Sequence, residues 1–205
     1  MNADHKIPQN VIEFHGHTCP GLAYGCRVSF AALRELGQRA EDEEIVAVVE
    51  NDSCSVDAIQ VMTGCTFGKG NFIFRNYGKQ VYTFLKRPSG EGVRIAVKYR
   101  PSEESEEEKG AWMRFSSGDG SDDVLKTMAG RKAKKINYIL NAPDGEILEI
   151  ERVRMPLPDK ATIYQSLKCS ICKEKVMEPM ARMLNGRIVC IPCMEKTQTN
   201  QESAE

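Results

Sequence analysis

The sequence predicts an α+β protein, in which helices pack on a small β-sheet and a short cysteine-rich module follows this core. Stretches with helical spacing of apolar residues alternate with β-rich runs between residues 20 and 155. The chain has 205 residues, enough for one core of about 150 residues and a small appendage. Four of the eight cysteines form two close pairs near the carboxyl end. We therefore expect a core domain at residues 1–160 and a separate module at residues 161–205.

Composition and charge exclude several classes of protein. The formal net charge of -1 gives no basic field for nucleic acid. No apolar run approaches the ~20 residues that a membrane span needs, and residues 1–14 lack the basic and apolar regions of a signal peptide. We expect a cytoplasmic protein without a membrane partner. Its cysteines should then be reduced and serve as metal ligands, reactive thiols or small buried side chains.

The first predicted helix begins at Pro20. Its apolar residues recur at helical spacing until Gly37, which is a predicted carboxyl-terminal cap. Cys26 falls on this apolar stripe. We therefore expect Cys26 to fill the core and to have no chemical role.

A strand–turn–helix unit follows. The run IVAVVE, residues 45–50, is typical of a buried strand. The segment NDSCS, residues 51–55, leads into a second helical pattern that ends at Gly64. This pattern places Cys54 in the turn at the start of the second helix.

The rest of the core is predicted to be a sheet with one further helix. Residues 72–87 and 92–99 are rich in β-forming residues and are separated by turn signals. Residues 103–109 hold five glutamates and a lysine, which is typical of a solvated helical face. A helix over residues 121–135 and a strand over residues 145–153 complete the core.

The segment HGHTCPG, residues 15–21, places two histidines and a cysteine within seven residues. Cys19 and Cys54 both lie at predicted helix starts, where unpaired N–H groups and the helix dipole favour a thiolate. The sheet is expected to bring Cys54 beside Cys19. With His17 they form a three-ligand set that suits zinc or another transition metal and leaves one position open. The same two cysteines are the candidate catalytic nucleophiles.

Three residues near this set have roles that the sequence leaves open. An extended turn would place His15 about 6 to 7 Å further back than His17, so we expect His15 to orient the site and not to bind the metal. Asp52 and Asp57 flank the Cys54 turn. Each either caps the helix or hydrogen-bonds to His17 from outside the ligand set.

The loop at residues 64–70, GCTFGKG, follows the second helix. It does not match a phosphate-binding P-loop, because the glycine spacing is too short and no Ser or Thr follows the lysine. We expect the loop to lie near the Cys54 turn. Cys65 is then a candidate fourth member of the site, and Lys69 a candidate contact for an anionic ligand.

The carboxyl-terminal module contains two C-x2-C pairs with seventeen residues between them. The four residues are Cys169, Cys172, Cys190 and Cys193. This spacing is typical of a four-cysteine zinc site, with a hairpin turning at Asn185–Gly186 between the pairs. A redox role for either pair lacks the strand-to-helix context of a thioredoxin motif. Because about 35 residues cannot bury an adequate core, zinc would supply most of the folding free energy.

The charge of this module is nearly balanced. From Lys168 onward it carries six Lys or Arg residues against five Glu residues. Such a module has little electrostatic attraction for phosphates. We therefore favour a docking or dimer-stabilising role for it over nucleic-acid binding.

The motifs HGHTCPGLAYGCR, NDSCSVDAIQVMTGCTFGKGN and NYGKQVYTF, followed by CSIC and CIPC, resemble those of the family named for the E subunit of formylmethanofuran dehydrogenase. The resemblance runs from about Val11 to Met194. It implies an α+β core, a treble-clef zinc finger, and homodimers in which the finger can pack on the partner protomer. The family's His-x-Cys and later Cys line a metal-binding pocket, and they match His17, Cys19 and Cys54 here.

The resemblance favours a metal-binding accessory protein that acts on or beside a molybdenum or tungsten oxidoreductase. The resemblance implies that the pterin centre and iron–sulfur clusters of such an enzyme belong to other subunits, and this chain has neither the size nor the cysteine pattern to hold them. Two alternatives remain. One is an independent thiol- or metal-dependent enzyme that uses Cys19 or Cys54. The other is a zinc-finger regulator that binds partners or nucleic acid.

Overall fold

The computed structural model describes residues 5–99 and 104–202. The chain divides into two compact units, residues 1–160 and residues 161–205. Over the described ranges, no helix has both the length and the apolar character needed to cross a membrane.

The first unit alternates helices and strands along the described chain. In order these are α1 (Gln9–His15), α2 (Pro20–Leu36), β1 (Ile45–Val49), α3 (Ser55–Thr63), β2 (Phe72–Phe74), β3 (Val81–Lys86), β4 (Glu91–Val97), α4 (Glu106–Ser116), α5 (Asp122–Asn141), α6 (Asp144–Ile147) and β5 (Leu148–Arg154). The predicted first and second helices are α2 and α3, and the predicted buried strand is β1. Helix α1 was not expected from the sequence.

The five strands of this unit form one mixed sheet in the order β2-β1-β3-β4-β5. Strands β1 and β2 are parallel and are connected through α3, whereas the other neighbours are antiparallel. Strands β4 and β5 lie side by side although α4, α5 and α6 separate them in sequence, and Val97 pairs with Leu148. The predicted α+β class is confirmed.

Helix α5 is longer than predicted, because it ends at Asn141 and not near Lys135. The apolar period continues through Ile136, Ile139 and Leu140, which all pack in the main hydrophobic core. The bounds of α2 agree closely with the prediction. It begins at a proline in the first helical position and ends at Gly37, whose φ of 97° suits a residue without a side chain.

Two glycines on α2 let α3 approach it closely. A Cβ atom at Gly25 would lie 2.3 Å from the carbonyl oxygen of Ser55, closer than atoms can pack. One turn earlier, a Cβ atom at Gly21 would lie 3.1 Å from the Cβ of Cys54. The glycines therefore bring the amino-terminal ends of α2 and α3 together, and with them Cys19 and Cys54.

Helix α2 also carries a buried arginine that sequence pattern does not single out. The Arg27 guanidinium donates to the main-chain oxygens of Ile139, Leu140 and Ala142, at the end of α5. It also forms an ion pair with Asp144, at 2.6 Å. Burial acts to raise the pKa of Asp144, but hydrogen bonds from Arg27 and Arg34 lower it on balance. Arg27 thereby ties α2 to the carboxyl-terminal end of α5.

The second unit consists of two hairpins and a helix. Its elements are β6 (Ser166–Lys168), β7 (Lys175–Met177), β8 (Ala181–Leu184), β9 (Arg187–Cys190) and α7 (Ile191–Glu202). The second hairpin turns at Asn185 and Gly186, with φ angles of 48° and 73°, as predicted for this pair. A cysteine knuckle, a hairpin and a helix in this order form the treble-clef arrangement that the resemblance implies.

Candidate metal centres

The histidines and cysteine of the HGHTCPG segment are brought together where α1 meets α2. His15 is the last residue of α1, and Gly16 reverses the chain with a φ of 91°. Cys19 is the amino-terminal cap of α2, and its sulfur accepts a hydrogen bond from the main-chain N–H of Leu22 at 3.3 Å. His17 lies between them and is exposed to solvent.

These three side chains form a compact donor set. One candidate ligand atom from each of His15, His17 and Cys19 lies within 4.8 Å of the others. His15 Nε2 is 3.8 Å from Cys19 Sγ, and the two imidazole rings have centroids 4.5 Å apart. A tetrahedral zinc ion with nitrogen at about 2.1 Å and sulfur at about 2.3 Å holds those two atoms about 3.6 Å apart. The donor set therefore fits a zinc-sized ion.

The expectation that His15 lies well behind Cys19 is wrong. It assumed an extended backbone from His15 to Cys19, whereas His15 ends a helix and the left-handed Gly16 turns the chain back. The turn brings the His15 ring beside the sulfur, so His15 is as well placed as His17 to be a ligand. The second histidine of the HGH motif was the available signal.

Asp57, in the first turn of α3, accepts a hydrogen bond from His15 Nδ1 at 2.7 Å. The His15 and Asp57 side chains are 10% and 31% exposed, so the contact is partly shielded from water. With the proton held on Nδ1, the lone pair on Nε2 faces Cys19. Of the two alternatives left open, Asp57 is a hydrogen-bond partner of a histidine, but that histidine is His15 and not His17. Asp52 is exposed.

Cys54 lies at the start of α3 and beside Cys19, as expected, although it is outside the three-residue donor set. A Cβ atom at Gly21 would contact both the Cys54 Cβ atom, at 3.1 Å, and the Cys19 sulfur, at 3.8 Å. The expectation that its helix position favours a thiolate is wrong for Cys54, because burial and the neighbouring Cys19 raise its pKa. The two sulfurs form a dithiol pair between the starts of two helices.

Neither Cys65 nor Lys69 belongs to this site. Cys65 is buried beyond the far end of α3, and its thiol donates to the carbonyl oxygen of Ile45 at the start of β1. The Lys69 ammonium donates to the carbonyl oxygens of Glu41 and Asp42. The loop that carries both residues therefore lies at the opposite end of β1 from Cys54.

Cys26 fills the core, as predicted, in a cluster with Val11, Leu22 and Ala58. Burial, followed by the nearby Cys19, raises the pKa of Cys26 to about 12. The Cys26 thiol is therefore protonated at neutral pH, and it is also inaccessible.

In metal-free protein, iodoacetamide is expected to label Cys19 and Cys54 well before Cys26. The rate at Cys54 should rise as the pH exceeds the usual thiol range, because the thiolate is the reactive form and burial raises the pKa of Cys54. Peptide mapping by mass spectrometry over a pH series would measure these rates, and added zinc should protect both residues. Early labelling of Cys26 would contradict the described packing.

The second cluster contains the four predicted finger cysteines. The sulfurs of Cys169, Cys172, Cys190 and Cys193 all lie within 4.8 Å of one another. Cys172 Sγ and Cys190 Sγ are 3.8 Å apart, the separation of about 3.8 Å that a tetrahedral Zn–S distance of about 2.3 Å requires. Burial acts to raise the pKa of Cys169, but main-chain N–H groups lower it to about 6. The donor set fits structural zinc.

Fold and sites together define a class of protein with an α+β core, a His/Cys cluster at two helix starts, and a four-cysteine finger. Residues 14–149 match the family model described as FmdE, molybdenum formylmethanofuran dehydrogenase operon. The chain belongs to this family. Residues 163–198 match the prokaryotic dksA/traR C4-type zinc finger.

Two relatives show how far the likeness extends. A protein of Archaeoglobus fulgidus described as a probable S-adenosyl-L-methionine-binding protein is 31% identical over 192 residues, which cover 88% of this chain and 50% of that protein. This chain thus spans about half the length of that relative. The crystal structure of a protein from Syntrophus aciditrophicus, described as like the E subunit (FmdE) of tungsten formylmethanofuran dehydrogenase, superposes with a TM-score of 0.61 at 21% identity, over 95% of this chain and 98% of that one. It has the same fold.

Proposed function

We propose that this protein is a metal-binding accessory protein with two different metal sites. The core site binds zinc or another transition metal through Cys19, His15 and His17, with Cys54 beside them. The finger binds structural zinc. The main support for the core site is the distance of 3.8 Å between His15 Nε2 and Cys19 Sγ. The other ring nitrogen, His15 Nδ1, donates a hydrogen bond to Asp57 at 2.7 Å.

The chemistry of the donors supports different roles for the two sites. Four thiolates enclose an ion completely, whereas two imidazoles and one thiolate leave one coordination position for a further ligand. A metal in the core site would act as a Lewis acid toward a thiol, a water molecule or a substrate oxygen. Asp57 holds the proton of His15 on Nδ1 and so keeps Nε2 available.

The cellular setting is proposed from the family. We infer a cytoplasmic homodimer that acts on or beside a molybdenum or tungsten oxidoreductase. The molybdenum enzyme operon for which the family is named supports this association, as does the likeness of the Syntrophus protein to a component of the tungsten enzyme. The proposal assigns no enzymatic activity to the chain itself.

A thiol-dependent enzyme is the second candidate, and one contact favours it. His15 bridges Cys19 and Asp57, so the three residues form a thiol–imidazole–carboxylate series. Cys19 or Cys54 would be the nucleophile in such an enzyme. The two candidates predict opposite effects of added metal. Metal would block Cys19 in a thiol-dependent enzyme, whereas it would complete the core site of an accessory protein.

His15→Ala is expected to weaken core-site metal binding at least as much as His17→Ala. Asp57→Asn should weaken it by about 10 to 100-fold, because the outer carboxylate orients the ring. Cobalt(II) titration of the full chain, with the finger first filled with zinc, would measure each affinity. His5→Ala is the matched control, since His5 stacks on Phe30. Unchanged cobalt affinity in His15→Ala would refute the proposed site.

A further inference from the structure

We propose that Tyr82 is a positioning residue for Cys54, and that its buried hydroxyl holds the turn that delivers the Cys54 thiol to the core metal as a second sulfur ligand. This inference rests on the proposed function and extends it, because the three-residue donor set contains a single sulfur. Tyr82 touches neither metal nor ligand and acts through the turn at residues 51–55.

The Tyr82 side chain is fully buried on β3, beneath this turn. Its hydroxyl lies 2.5 Å from Ser55 Oγ and donates to Gln80 Oε1 at 2.6 Å. Ser55 Oγ is in turn 2.7 Å from Ser53 Oγ. The residues on both sides of Cys54 thus belong to one hydrogen-bonded series that starts at the tyrosine.

The other end of the series is fixed by Asn51, which is also buried. Its Oδ1 accepts hydrogen bonds from the Ser53 hydroxyl at 2.7 Å and from the Ser53 main-chain N–H at 3.2 Å. Its Nδ2 donates to the carbonyl oxygen of Lys79 at 2.7 Å. The turn is therefore held from β3 and from the segment that precedes β3.

The Cys54 side chain is not one of the groups in this hydrogen-bonded series. It makes no capping hydrogen bond at the start of α3. The thiol is consequently placed by Ser53 and Ser55 and remains available to a metal. A buried phenol that only filled the core would not need this series of polar neighbours, and phenylalanine would satisfy such a position better.

The test uses full-length protein with zinc in the finger and cobalt(II) in the core site. The near-ultraviolet sulfur-to-cobalt absorption scales with the number of bound thiolates. Tyr82→Phe is expected to lower this absorption by about half and to weaken cobalt binding by about 10-fold. Cys54→Ser should give the same half-intensity spectrum, and the double variant should show no further loss.

Two controls separate positioning from general destabilisation. Tyr138→Phe removes a tyrosine hydroxyl that bonds to Glu146 away from the turn, and Phe84→Leu destabilises the same strand without touching the polar series. Both should keep the full absorption. Ser55→Ala breaks the series next to Cys54 and should reproduce the Tyr82→Phe spectrum.

Full absorption in both Tyr82→Phe and Ser55→Ala would overturn the positioning role. Full absorption in Cys54→Ser would overturn it as well, since Cys54 would then not be a ligand. Failure of the wild-type protein to bind a core cobalt ion would instead refute the proposed function, and this result is distinct from the other two.

Discussion

Removal of zinc from the finger is expected to unfold residues 166–193 while the core stays folded. The buried cluster of the finger consists of Cys169, Val189 and Cys193, so almost nothing apolar remains once the sulfurs lose their ion. Structural zinc binds such modules with an apparent free energy of about 10–16 kcal/mol near pH 7, which is then the folding free energy of the finger. We expect the finger to be fully folded with zinc and fully unfolded without it.

Hydrogen exchange with mass spectrometry, before and after a strong chelator, would measure this loss. Cys190→Ser should give the same pattern without chelator, because three sulfurs and a hydroxyl hold zinc far less well. Met183→Ala, at an exposed position on β8, is the control and should keep full protection. Persistent protection of the finger in metal-free protein would contradict a zinc-dependent fold.

Gly25→Ala is expected to destabilise the core strongly. The new Cβ atom would lie 2.3 Å from the Ser55 carbonyl oxygen and 2.7 Å from the Ser55 Cα atom, and main-chain atoms cannot rotate away. Helices α2 and α3 would have to separate. We expect a loss of about 3 kcal/mol or more in the free energy of unfolding, at the upper end of overpacking costs.

Urea unfolding of the core would measure this change. Gly110→Ala on α4 is the matched control, because nothing lies within 4 Å of its new methyl group. Alanine there should stabilise α4 by about 0.5–1 kcal/mol, as it does in most helix interiors. If the two variants had similar stability, the close approach of α2 and α3 would be incorrect.

Local sequence pattern accounts for much of the fold and part of the core site. Apolar periodicity located α2, α3 and β1, and the Pro20 and Gly37 signals placed the ends of α2. Cysteine spacing alone located the finger, because each C-x2-C knuckle is a local structure. The positions of Cys19 and Cys54 at neighbouring helix starts also followed from local signals.

Contacts between distant residues account for what the sequence did not reveal. Asp57 meets His15 across 42 residues, and Arg27 meets Asp144 across 117 residues. Neither pairing can be read from sequence periodicity, since the first depends on how α1 packs against α3 and the second on how α2 packs near the end of α5. The position of His15 was mispredicted because a short helix, α1, replaces the expected extended turn.

Val97 on β4 pairs with Leu148 on β5, so residues 98–147 form an excursion that leaves the sheet and returns to the neighbouring strand. The sheet does not fix the length of this excursion. Doubling the length of a flexible loop within such a segment would change its closure free energy by only about 0.6 kcal/mol. Helix α4 buries Ala111 alone among its residues, so little of the core depends on that part of the excursion. Changes in the length or sequence of α4 should therefore cost the core little, whereas α5, which places Ile139 in the main core, is not free to change in the same way.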